Sequence, residues 1–158
     1  MTTALVHRYG PQGTAKALFG IRGPEVLVSG PAGTGKSRAC LEKLHLTMLL
    51  NPGARGLIIR KTAVSLTSTA LVTFREHVAK ESLMVGDVVW YGGSSQESSQ
   101  YRYTNGSVLA VAGLDKSTRI MSSEYDMIYV QEATELTEDD WEALTTRLRN
   151  GKVSFQQL

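Results

Sequence analysis

The chain has 158 residues, 42% of them hydrophobic, which suits one compact domain over residues 1–158. Its single cysteine, Cys40, excludes an internal disulfide framework and a cysteine-rich zinc site, and no apolar run reaches the roughly 18 residues that cross a bilayer. The net charge of +2 conceals an asymmetry, with eleven Lys and Arg against three Asp and Glu in residues 1–80 and six against twelve in residues 81–158, so the first half suits phosphate or a weak nucleic-acid contact.

Met1 to Gly10 lacks the apolar stretch of a secretory signal, so a soluble, cytoplasmic protein is expected. Tyr9-Gly10-Pro11-Gln12-Gly13 is turn-like, and a short helical pattern around Ala15–Phe19 stops at Gly20 and Gly23-Pro24. Glu25-Val26-Leu27-Val28-Ser29 reads as a short buried strand running into Gly30-Pro31-Ala32-Gly33-Thr34-Gly35-Lys36-Ser37. Leu41, Leu44 and Met48 then recur at helical spacing over Lys36–Leu50, stopped by Asn51-Pro52-Gly53. A single thiol on that helix, Cys40, is read as a packed side chain.

Leu57-Ile58-Ile59 suits a parallel strand buried on both faces, with Arg60-Lys61-Thr62 at its carboxyl end. A second helix is expected over Ser65–Lys80, with Leu71, Phe74 and Val78 on one face. Val88–Tyr91 reads as a strand and Gly92–Gln100 as an exposed loop, while Tyr101-Arg102-Tyr103 and Val108–Val111 flank the hairpin signal Asn105-Gly106. Met127–Val130 is a further buried strand, ended by Gln131-Glu132. Thr137, with Asp140 three residues on, opens a helix expected to reach Arg149, and Val153–Phe155 begins a last strand. This alternation predicts an α/β fold, a mostly parallel sheet flanked by helices with an antiparallel hairpin insertion, whose ligands sit at the carboxyl ends of strands.

Residues 30–37 match G-x-x-x-x-G-K-[ST], a chance event on the order of one in a hundred for a chain of this length. In such a loop the glycines let backbone N–H groups turn toward the β-phosphate, Lys36 reaches the β/γ oxygens and the Ser37 hydroxyl ligates Mg²⁺, so ATP with Mg²⁺ is the expected ligand. Hydrolysis also needs a group that activates water, and Glu132 at a strand end is the candidate general base. Gln131 stands where such sites usually carry a Mg²⁺-associated Asp; its amide oxygen can accept from metal-bound water but brings no charge. Alternatively Glu132 serves the metal and Glu135 the water. The other acids of this stretch, Glu138, Asp139, Asp140 and Glu142, read as a solvated helix start. Transition-state charge calls for an arginine, with Arg119, Arg147 and Arg149 as candidates against the alternative of plain surface arginines.

Beyond the loop, Leu57–Thr62 with Ser65-Leu66, Asn105-Gly106-Ser107, Gly113-Leu114-Asp115 and Tyr125–Glu135 follow in an order and spacing that resemble the N-terminal ATPase domain of tailed-phage large terminase subunits, over roughly residues 10–157. The resemblance implies a P-loop NTPase fold and an ATP-driven motor that packages double-stranded DNA as a homo-oligomeric ring, with portal and small terminase subunit as partners. It also implies Lys36 and Ser37 on phosphate and magnesium, Glu132 in catalysis, Arg119 as a trans-acting finger and Gln12 near adenine. Two features depart from the family: position 131 is not an acid, and no coupling motif or nuclease domain follows, so a fragment, an interrupted gene product or a truncated relative is expected and DNA cutting is not assigned. Two other functions stay open, an ATP-binding assembly module that hardly hydrolyses and a different P-loop enzyme such as a RecA-like helicase or a kinase.

Overall fold

Leu57, Ile58 and Ile59 are fully buried at the centre of a five-stranded sheet in a computed structural model that describes residues 6–158, apart from the side chains of Ser117 and Arg119. They belong to β1 (Arg55–Arg60). The other strands are β2 (Val88–Tyr91), β3 (Gln100–Tyr103), β4 (Val108–Gly113) and β5 (Met127–Val130), in the spatial order β2-β3-β4-β1-β5. β1 runs parallel to both neighbours, pairing Ile58 with Val111 of β4 and with Tyr129 of β5. β2 and β3 continue the sheet antiparallel. The β3–β4 turn is built on Asn105-Gly106: Gly106 takes φ 86°, its N–H donates to Tyr103 O at 3.0 Å, and Tyr103 N–H donates to Ser107 O at 3.0 Å.

Strand alternation divides the core between the two faces of the sheet. Ile58, Leu109, Val111 and Met127 pack on one face against Leu41, Leu44 and Met48 of α2 (Lys36–Leu50) and against Leu71, Phe74 and Val78. Leu57, Ile59, Ala110 and Ile128 pack on the other against Ile120, Tyr125 and Leu144, the last from α6 (Glu138–Thr145). The helix expected over Lys36–Leu50 forms with those bounds. It also buries Glu42, Lys43, His45 and Thr47, because α1 (Gly13–Leu18) and neighbouring segments cover its outer face.

Five expectations differ from the structure. The segment Ser65–Lys80 is not one helix but α3 (Ala63–Thr67), α4 (Ala70–Thr73), a π-turn (Phe74–Val78) and the start of α5 (Lys80–Val85). The break falls at Thr67-Ser68-Thr69, whose hydroxyls bond back to Val64 O and Ser65 O and so compete with the helix ladder, leaving Thr69 at φ −128°, ψ −86°. Glu25–Ser29 is not a sheet strand, since its backbone finds a partner only at one end: Val26 N–H donates to Leu158 O at 2.9 Å and Leu158 N–H to Pro24 O at 2.8 Å. Val153–Phe155 is bent; pairing is displaced to Gln157, which bridges Met127 in parallel. Helix α6 begins with the expected Thr137–Asp140 capping box but ends at Thr145, because Leu148 turns away to bridge Tyr125. Gln100, placed in the loop by sequence, is a buried first residue of β3.

The buried carboxylate of Asp126 ties the sheet to the last stretch of chain, accepting from Arg55 N–H and the Asn150 side chain on one oxygen and from Lys152 and Val153 N–H on the other. Among the described residues no helix is long and apolar enough to cross a membrane.

Candidate functional site

Parallel strands β1 and β5 deliver their carboxyl ends to the edge of the sheet where α2 begins. Gly30 (φ 153°), Gly33 (φ 76°) and Gly35 (φ 76°) carry the preceding loop, and a Cβ at Gly33 or Gly35 would meet no neighbour within 4 Å, so backbone conformation and not crowding calls for glycine there. Gly35 is the left-handed N-cap of α2 and has no side chain to cap the helix. The first-turn N–H groups, including those of Lys36 and Ser37, therefore have no intrahelical acceptor and concentrate positive potential at the loop. Pro31, Ala32, Gly33 and Thr34 form its exposed crest. The Lys36 ammonium folds back onto it, donating to Gly30 O at 2.7 Å and also to Pro31 O and Thr34 Oγ1. These carbonyls hold a cation at the position from which an anion would recruit it.

A cleft of about 340 Å³ is lined by Ser29, Gly30, Lys36 and Ser37 together with Gln131 and Glu132. Glu132 has φ 56°, ψ 58°, the one non-glycine residue with positive φ among the described residues. That left-handed turn costs on the order of 1 kcal/mol and lifts the carboxylate out of the strand line at the point where β5 ends. Glu132 is exposed and its carboxylate takes part in no hydrogen bond or ion pair among the described residues.

The neighbouring acids are engaged. Glu135 receives both Nε and an Nη of Arg60, at 3.0 and 2.7 Å, which holds its carboxyl below the usual carboxylate range and raises the guanidinium. Lys61 donates to Asp140 at 2.6 Å, lowering the Asp140 carboxyl. The two basic residues at the end of β1 are thus ion-paired, and of the alternatives for the water-activating acid the geometry leaves Glu132 unencumbered.

Sequence reading missed three groups. Tyr129 lines the cleft together with Ser37, and burial pushes its hydroxyl up to about 12. Strand parity carried the signal, since Tyr129 lies on the same face of β5 as Met127. Lys43 lies at the far end of the cleft, donating to Leu18 O, Ile21 O and Gln157 Oε1, and burial brings its amine down to about 8. The spacing of Lys36, Cys40 and Lys43 places all three on one helix face, and all three line the cleft. The third group is Thr69, whose hydroxyl lies 3.0 Å from the Gln131 amide. Cys40 is half-buried, and burial pushes its thiol up to about 11, in keeping with a packed side chain.

Arg147 and Arg149 do not line the cleft. Arg147 donates to Met121 O at 2.7 Å and Arg149 pairs with Glu124 at 2.9 Å, both beyond the end of α6 and not on it. Arg119 closes a 3₁₀ segment, Leu114–Arg119, and its side chain lies outside the described residues. Gln12 is the exposed N-cap of α1 and does not line the cleft.

Three residues that line the cleft, Ser37 with a hydroxyl, Gln131 with an amide and Glu132 with a carboxylate, carry oxygen groups of the kind a hard dication takes. With the helix N-terminus and Lys36 they fit a magnesium-bound polyphosphate.

A family described as phage terminase large subunit matches residues 24–158. No curated protein is significantly similar to the chain. Among solved structures, the large terminase ATPase domain of a Thermus phage is similar, with TM-score 0.67 and 16% identity, over 95% of this chain and 64% of that one. An arginine-to-alanine variant of that domain gives TM-score 0.63 and 16% identity, over 88% and 62%. The large terminase of a thermophilic bacteriophage gives 0.54 and 13%, over 77% of this chain and 30% of that one. At these identities the likeness establishes a shared α/β fold, and the chain spans less than two thirds of the structures it resembles.

Proposed function

Because the chain belongs to the phage terminase large-subunit family, we propose that it is an ATP-hydrolysing motor domain that drives packaging of double-stranded DNA into the phage capsid, acting in the host cytoplasm. The observation that supports this reading is one cleft lined both by the glycine loop with Lys36 and by Glu132, whose carboxylate has no hydrogen bond or ion pair among the described residues.

In this reading the triphosphate lies along the N-terminus of α2, with the loop N–H groups of residues 32–37 on the β-phosphate. Lys36 leaves the carbonyls of Gly30 and Pro31 for the β/γ oxygens, exchanging neutral acceptors for charged ones. Magnesium, when bound, neutralises charge on the β- and γ-phosphates, and Ser37, with the Gln131 amide behind it, would hold it. Glu132 orients a water in line with the γ-phosphorus and takes its proton as the new P–O bond forms, while the bond to the β-phosphate oxygen breaks and ADP departs. Arg119 is retained as the trans-acting finger of a homo-oligomeric ring, and portal and small terminase subunit are its proposed partners. No DNA cleavage is assigned to these residues.

Steady-state ATP hydrolysis by the chain, alone and with duplex DNA, tests the proposal. DNA-stimulated, Mg²⁺-dependent turnover is expected. Tight Mg·ATP binding without turnover would favour a nucleotide-holding assembly module, a reading that Gln131 in place of an acid keeps in view.

A further inference from the structure

The Thr69 hydroxyl lies 2.7 Å from Ser65 O and 3.0 Å from the atom of the Gln131 amide assigned as Oε1. A hydroxyl has one proton, and both neighbours as assigned are acceptors. The shorter contact takes the proton, which would leave two oxygens facing each other at 3.0 Å with nothing between them. Turning the amide end for end removes the conflict: Nε2 donates to Thr69 Oγ1, Thr69 donates to Ser65 O, and every group in the chain is matched. The amide's other terminal atom makes no hydrogen bond among the described residues, is not sealed from solvent although Gln131 as a whole is buried, and belongs to a side chain that lines the cleft. In the turned amide that atom is the oxygen.

We propose that Thr69 is a positioning residue for Gln131: by bonding the amide N–H it directs Oε1 into the cleft beside Ser37 and Glu132, as a neutral acceptor for water on a bound magnesium ion. The proposal rests on the Mg·ATP reading of the site. It accounts for an amide at position 131, since a carboxylate there has no N–H to give to Thr69.

The test compares the parent chain with Thr69→Val, which keeps the shape and removes the acceptor, and Thr69→Ser, which restores it. Side-chain amide resonances of ¹⁵N-glutamine-labelled protein, with the Gln131 pair identified by its loss in Gln131→Glu, read the orientation without any nucleotide. Binding of ATP with Mg²⁺ and of ATP with chelator reads the consequence. The Gln131 resonances are expected to move in Thr69→Val and stay in Thr69→Ser, and Mg·ATP affinity to fall about two- to tenfold in Thr69→Val alone, with metal-free ATP bound as by the parent. Unmoved resonances, parent affinity for Mg·ATP in Thr69→Val, or an equal loss with and without Mg²⁺ overturns the proposal. A parent chain that binds no ATP in either condition overturns the proposed function instead, while the resonances still decide whether Thr69 orients Gln131.

Discussion

Arg60 grips Glu135 with two hydrogen bonds, of 3.0 and 2.7 Å, across the carboxyl ends of β1 and the segment after β5. The pair spans 75 positions in sequence and divides the labour of two acids three residues apart. One is an ionic tether between strands; the other, Glu132, projects from a left-handed turn with no hydrogen-bond or ion-pair partner among the described residues.

The division predicts opposite outcomes for the two amide substitutions. Glu132→Gln should keep Mg·ATP binding and lower turnover by about 100-fold or more, as for removal of a general base. Glu135→Gln, which releases an exposed pair, should change stability by no more than a surface ion pair does and leave most turnover in place. Parent-rate hydrolysis by Glu132→Gln, measured at saturating ATP, would remove Glu132 from the mechanism.

Among the described residues the Lys36 ammonium hydrogen-bonds only to the loop that carries it, so Lys36→Ala should fold like the parent and lose about 10- to 100-fold in nucleotide affinity, the worth of a charge-assisted contact to phosphate. Calorimetric titration with a non-hydrolysable ATP analogue and a thermal melt together check both halves. Equal affinity in the variant would mean that the ammonium stays on the loop carbonyls when nucleotide is bound.

Gly113, at the end of β4, is demanded by contact. A Cβ there would come within 2.2 Å of Ala63 N and of Asp115 Oδ1. Gly113→Ala should therefore cost about 3 kcal/mol or more, since the obstacle is backbone that cannot step aside. Urea denaturation decides it; a midpoint equal to the parent's would show that the β4–α3 junction is looser than described.

Asp126 holds Arg55, Asn150, Lys152 and Val153 on its two oxygens while fully buried. Asp126→Ala strands several buried donors and should destabilise by more than about 3 kcal/mol, with the strap over residues 150–153 losing amide-exchange protection first. Uniform loss of protection across the sheet would argue instead for a general, undirected effect.

His45 gives a pH signature. Burial, with a contribution from His7, brings its imidazole down to about 4, and it is held neutral between the Tyr103 hydroxyl at 2.8 Å and Ser82 at 3.3 Å. Between that value and the ordinary 6.5 the unfolded chain binds a proton that the folded one refuses. Stability from this residue is therefore complete above about pH 6.5 and falls as pH drops toward 4, by about 3 kcal/mol in all. His7, raised by Glu42 and Glu81 against its burial, acts in the opposite sense, its contribution being present below 6.5 and lost at higher pH. Stability against pH in His45→Gln should be flatter than the parent between pH 4 and 6.5; a parallel curve would mean that other groups set the acid limb.

Local chemistry was legible in the order of residues. The loop-to-helix step at Gly35-Lys36, the bounds of α2, the Asn105-Gly106 turn, the doubly buried Leu57-Ile58-Ile59 and the Thr137–Asp140 capping box are each set by residues within one turn or one strand of each other, so their signals needed no neighbour. The carboxyl ends of parallel strands likewise placed Gln131 and Glu132 beside the loop in advance of any coordinates. Partnership across the fold was not legible. That Val26 pairs its backbone with Leu158, that Arg60 takes Glu135 and frees Glu132, and that Thr69 meets Gln131 depend on which backbones lie side by side after β1, β4 and β5 have assembled. A sequence carries the preference of each group for a partner. Only the packed sheet, by fixing distances between residues 62 to 132 positions apart, decides which preference is met.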